Sequence, residues 1–114
     1  MKAYTDIEQS KKLAEILPLE SADMYFDGFG RLPQGYAYTL IFPNSFEYDK
    51  PCWSLAALLK VIRETVGYEL LCNKTSIIIK CELGDNPWSI EINENNEVDA
   101  CYEMIIKLHE QNIL

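Results

Sequence analysis

YELLCNKTSIIIKCELGDNPWSIEIN, residues 68–93, is the stretch on which the fold turns. YELLCN and SIIIKCEL are apolar runs parted by residues 73–75, which predicts a hairpin. GDNP is a turn signal. In WSIEIN, Trp88, Ile90 and Ile92 alternate with Ser89 and Glu91, the period-two pattern of a half-buried strand. Short links between neighbouring strands favour antiparallel pairing, and alternating strands favour a sheet with one face covered by helices.

Helical patterns flank these strands. Upstream, in PCWSLAALLKVIRETVG (51–67), Leu55, Leu58, Leu59, Ile62 and Val66 recur at helical spacing. Ala56, Ala57 and Val61 widen that stripe, which predicts a deeply placed helix closed by Gly67. Downstream, Val98, Cys101, Ile105 and Leu108 make the stripe of a helix from about 98 to 111, with Asp99 or a nearby Asn as its cap. At the start of the chain a helix is expected over about 6–17. Thr5 with Glu8 forms its capping box, Leu13, Ile16 and Leu17 its apolar face, and Pro18 its stop. ADMYFDGFGRLPQGYAYTLIF (22–42) reads as two strands joined by a glycine-rich loop, with Tyr36, Tyr38, Leu40 and Phe42 alternating with Ala37, Thr39 and Ile41. PNSFEYDKP (43–51) reads as a loop. The expected order is α-β-β-α-β-β-β-α. The fold class is α+β: a mainly antiparallel sheet of about five strands with helices mainly on one face. Residues 1–114 are read as a single α+β domain.

The chain has 114 residues, 48% of them hydrophobic, and seven tyrosines. That is enough to bury one core without metal or disulfide help. No apolar run is long enough to cross a bilayer. MKAYTDIEQSKK at the start has no apolar signal-peptide centre, so the expected location is cytoplasmic. A formal net charge of −8 repels phosphate backbones and argues against direct nucleic-acid binding. It permits a basic partner. The four cysteines, Cys52, Cys72, Cys81 and Cys101, form no CxxC pair, so no metal site or cofactor is expected. In a reducing compartment they are thiols, read as core filler.

Cys52 and His109 are the candidates for catalysis. With Pro51 at the first helical position, Cys52 lies in the first turn of a helix, whose dipole lowers a thiol pKa. His109, the only histidine, is the only candidate base. The Cys-Trp pair resembles the thiol-protease nucleophile. However, Tyr48, Asp49, Lys50 and Pro51 stand where that pattern has Cys-Gly-Ser or Cys-Gly-Ala, and no residue is evidently placed to orient the histidine. A core cysteine and a boundary histidine explain both residues as well.

DGFGRLPQG (27–35) is not a phosphate-binding fingerprint, because a strand follows it and not a helix. Phe29, Arg31 and Leu32 at its tip are a candidate binding loop. Between Lys80 and Lys107 no Lys or Arg occurs, while acidic residues recur. EINENNEVD lacks the spacing and central glycine of a calcium loop. Glu91, Glu94, Glu97 and Asp99 are therefore the candidate partner-binding residues, a surface steered toward a basic protein. Tyr36, Tyr38, Phe46, Tyr48 and Trp88 add aromatics suited to an interface.

PCWSLAALLKVI (51–62) and VDACYEMIIKLHEQNIL (98–114) resemble stretches in a group of small cytoplasmic proteins of gut-type anaerobic bacteria and their phages or mobile elements. The resemblance covers the second helix and the last. That group has no assigned activity, so it implies a compact protein and assigns no catalytic residue. The expected function is a non-catalytic protein-interaction module. The alternatives are a thiol enzyme using Cys52 and His109, and a small-ligand binder using an aromatic pocket under the glycine loop. A homodimer through an exposed edge strand fits the same pattern.

Overall fold

The computed structural model describes residues 2–26, 34–35, 50–73, 76–83 and 86–114. The first helix, α1, spans Ile7–Ile16. Its capping box sits one residue beyond the expected pair. The Asp6 carboxylate accepts the Gln9 N–H at 2.8 Å, and the Gln9 side chain accepts the Asp6 N–H at 3.2 Å. Leu13 and Leu17 are buried, and Pro18, which cannot continue a helix, leads into a 3-10 turn over Leu19–Ser21.

Strands β1 (Met24–Phe26), β2 (Gln34–Gly35) and β3 (Lys50–Cys52) form one antiparallel sheet of three strands, ordered β2-β1-β3. Helix α2 (Leu55–Thr65) follows. Strands β4 (Tyr68–Cys72), β5 (Ile77–Leu83) and β6 (Asn86–Glu94) form a second three-stranded antiparallel sheet, ordered β4-β5-β6. Helix α3 (Glu97–Glu110) closes the chain's elements.

The class is α+β, as expected, but the described strands do not make one sheet of five. They make two sheets of three, and the order gains a strand before α2. Two causes are visible. Strands β4, β5 and β6 pair with one another in sequence order. Met24 and Tyr25 of β1 instead pair with both Gln34–Gly35 and Pro51–Cys52. The expected alternating strand over 36–42 and the loop over 43–49 lie outside the described residues.

The extra strand overturns one reading. Cys52 ends β3, opposite Met24, and is not in the first turn of a helix. Pro51 supplies the reason. Its fixed φ suits an outer strand as well as a helix start, and β3 is one of the two outer strands of its sheet among the described residues. The helix begins only at Leu55. There the Ser54 hydroxyl accepts the Ala57 N–H at 3.2 Å and donates to the Asp23 carboxylate. Helix α2 is also less deep than its composition predicts: Leu58 and Ile62 are fully buried, whereas Leu55, Leu59, Val61 and Val66 are half-buried.

Helix α3 follows its expected stripe. Val98, Cys101, Ile105 and Leu108 are fully buried, joined by Ala100 and Met104. Burying a leucine or isoleucine of this kind stabilises by about 1.5–3 kcal/mol. Asn96 is the cap, accepting the Asp99 N–H at 2.9 Å. The far end is a left-handed stop. Asn112 has φ 60°, while Asn112 N–H reaches the His109 carbonyl at 3.0 Å and Ile113 N–H the Leu108 carbonyl at 2.9 Å. The helix packs on β5 and β6, over the face that carries the buried Ile77, Ile79 and Cys81.

The chain divides into two compact units, Tyr4–Ala57 in one and Met1–Ala3 with Leu58–Leu114 in the other. The division falls inside α2.

Candidate functional site

In the unit Tyr4–Ala57, Cys52 sits in a small buried polar network. Its thiol donates to the Thr5 carbonyl at 3.4 Å and lies 3.7 Å from the Thr5 hydroxyl. That hydroxyl also accepts the Trp53 N–H at 3.1 Å and shares a 2.8 Å bond with the Ser10 hydroxyl. The Thr5 N–H returns to the Trp53 carbonyl at 2.9 Å, and the Trp53 indole donates to Ser21 at 2.9 Å. Thr5, Cys52 and Trp53 have no exposed surface. Burial pushes the Cys52 thiol up from its ordinary pKa and the Asp23 charge adds to this, against the opposing hydrogen bonds of Thr5 and Ser10. A nucleophilic cysteine needs the reverse: an exposed thiol with a lowered pKa.

His109 is exposed in the last turn of α3. Its Nδ1 lies 3.2 Å from the Leu114 carbonyl. A carbonyl oxygen only accepts, so Nδ1 carries the hydrogen. The ring thus ties down the backbone just past the helix end.

Of the other cysteines, Cys81 and Cys101 are buried. Burial raises the Cys81 thiol to about 11 and the Cys101 thiol to about 12, the latter with a contribution from Cys81 itself. Cys72 departs from the core-filler reading: it is exposed at the end of β4.

The structure splits the acidic candidates. Alternation along β6 puts Glu91 and Glu94 on opposite faces of the sheet. Glu91 lies on the face away from α3, 3.8 Å from Lys80. Glu94 lies on the α3 side, opposite Ile77. Glu97 and Asp99 occupy the first turn of α3. Asp99 is engaged: it takes the Lys2 ammonium at 2.7 Å and the Asn96 amide at 2.8 Å. The residue that reports on this corner is Glu103. Burial first, then the charges of Glu94, Asp99 and Glu110, push its carboxyl up, while Lys107 opposes them. Its i, i+4 spacing from Asp99 was the available sequence signal.

The loop candidates Phe29, Arg31 and Leu32, and with them the pocket expected under the glycine loop, lie outside the described residues. A depression of about 420 Å³ is bordered by Tyr4, Asp6, Ile7 and Glu8. Among the described residues, no group of His, Cys, Asp or Glu is arranged to hold a metal ion. No described helix is long and apolar enough to cross a membrane. The chain matches no family model, no curated protein and no solved structure.

Proposed function

We propose that the protein is a non-catalytic, cytoplasmic protein-binding module whose acidic corner, where β6 meets α3, receives a basic partner protein. The observation that carries this reading is the gathering of Glu94, Glu97, Asp99 and Glu103 where β6 runs into α3. The Glu103 carboxyl, pushed up by burial first, is pushed up further by the charges of Glu94, Asp99 and Glu110, while Lys107 opposes them. A partner's Lys or Arg placed there would relieve that repulsion, which is a gain in binding without any rearrangement of the fold. Glu94 and Glu97 are the contact residues in this reading. Asp99 is held by Lys2, and Glu91 belongs to the opposite face.

The test is capture of partners by the tagged protein from lysate of its own host, at low and high salt. The expected result is one stoichiometric partner, released by salt. The pair Glu94→Lys and Glu97→Lys should weaken it by about tenfold or more, while Glu91→Lys leaves it in place. Unchanged circular dichroism would show that the variants fold. A partner retained by the double variant, or none at either salt, would refute the acidic corner as the contact.

A further inference from the structure

The sheet β4-β5-β6 has two outer strands among the described residues, and they are built differently. Natural sheets blunt their edges with proline, charge and irregular register, because an open edge is a template for another strand. Strand β6 carries all of these: Pro87, Glu91 and Glu94, and a register irregularity against β5 between Cys81 and Leu83. Strand β4, Tyr-Glu-Leu-Leu-Cys, carries a single charge and none of the rest. Its Leu71 is 39% exposed.

The hydrogen-bond phase of β4 is fixed by its turn. Asn73 N–H meets the Ser76 carbonyl at 3.0 Å, so residues 73 and 76 are a hydrogen-bonded pair. Bonded and non-bonded pairs alternate in an antiparallel ladder. Leu71/Ile78 and Glu69/Lys80 are then the bonded pairs, and Tyr68, Leu70 and Cys72 turn their N–H and C=O away from β5.

We propose that this edge joins a second copy of the chain, strand β4 pairing antiparallel with its counterpart about a two-fold axis through Leu70. The outward residues are symmetric about Leu70, so the rotation sets Leu70 against Leu70 and Tyr68 against Cys72, each outward N–H facing an outward C=O. A shift of one residue would instead bring inward-turned groups to the interface. Charges also agree. Glu69 falls opposite Leu71 of the second copy and not opposite its own equivalent, so no like charges are directly opposed. The two sheets become one continuous sheet, and the exposed Leu71 gains a cross-strand neighbour.

The experiment is molecular mass by sedimentation equilibrium over a concentration series, with circular dichroism as the check on folding. The wild-type chain should associate to a dimer. Leu71→Glu places a carboxylate opposite Glu69 of the other copy and should weaken the dimer by about tenfold or more, whereas Leu71→Lys should preserve or tighten it. Leu70→Pro removes an outward N–H while sparing the β4–β5 bonds, and should yield a folded monomer. If that variant unfolds, the opposed effects of Glu and Lys at position 71 decide. In a Cys72→Ala background, Leu70→Cys should form an intermolecular disulfide under mild oxidation, because a hydrogen-bonded pair sets the Cα atoms about 5.5 Å apart. A wild-type chain that stays monomeric overturns the proposal. So does a dimer indifferent to both charges at position 71, or one that Leu70→Cys does not cross-link.

Discussion

The Thr5 hydroxyl serves Ser10, Cys52 and the Trp53 amide at once. None of this is visible in a linear reading that gives Thr5 to a helix cap. The cap shifts to Asp6, whose carboxylate reaches Gln9 from solvent, and Thr5 is drawn inward because residue 4 bridges to residue 54. Replacing Thr5 by Val keeps its shape and removes the hydroxyl, stranding the Trp53 N–H and the Ser10 hydroxyl in the interior. Thr5→Val should therefore cost about 1–3 kcal/mol in urea unfolding, while Thr5→Ser, which keeps the oxygen, should cost clearly less. A loss in Thr5→Ser as large as that in Thr5→Val would mean that the hydroxyl does not set the energy.

At the scale of elements, legibility followed locality. The stripe of α3 and the meander of β4, β5 and β6 could be read from the sequence because their periodicities are strong and their partners adjacent. Cys52 could not be placed, because a proline before it suits both a helix start and an outer strand. The choice was made by Met24, far off in sequence. The acidic run was legible as composition but not as a surface. A three-residue step along a strand reverses the face, so Glu91 and Glu94 part company. What remains together is the corner around Glu103. Its pKa in the folded protein lies above the ordinary value, so the fold favours the protonated form. That contribution is complete below the unfolded pKa and is lost as pH rises through the folded one. Glu103→Gln should accordingly be the more stable protein near neutral pH, because it removes first the cost of burying the charge and then the repulsion from Glu94, Asp99 and Glu110, like charges one helical turn apart costing about a few tenths of a kcal/mol. The advantage should fade as pH falls through the range just above the ordinary glutamate pKa. An advantage independent of pH would assign the effect to packing.

For the molecule as a whole, the cysteines offer a direct measure of what is buried. In dilute native protein at neutral pH, Cys72 alone should react promptly with a thiol reagent, because it is exposed while Cys52, Cys81 and Cys101 are enclosed. The other thiols should react only as the chain unfolds, and together if unfolding is cooperative. Rapid modification of native Cys52 would restore the thiol-enzyme reading that its burial opposes.

The two sheets also differ in how their partners find one another. In β4-β5-β6 each strand bonds to the next one in the chain, only a few residues on, and α3 then folds back over the strands just made. Closures of that kind are fast and cost little chain entropy. Strand β1 must wait for Lys50–Cys52, with a long stretch of chain between them. During synthesis, then, the first half of the chain emerges early but pairs late. For that interval Met24 and Tyr25 have only Gly35 and Gln34 as strand partners among the described residues, while Phe26 awaits Lys50, and the cell's chaperones meet β1 before β3 does.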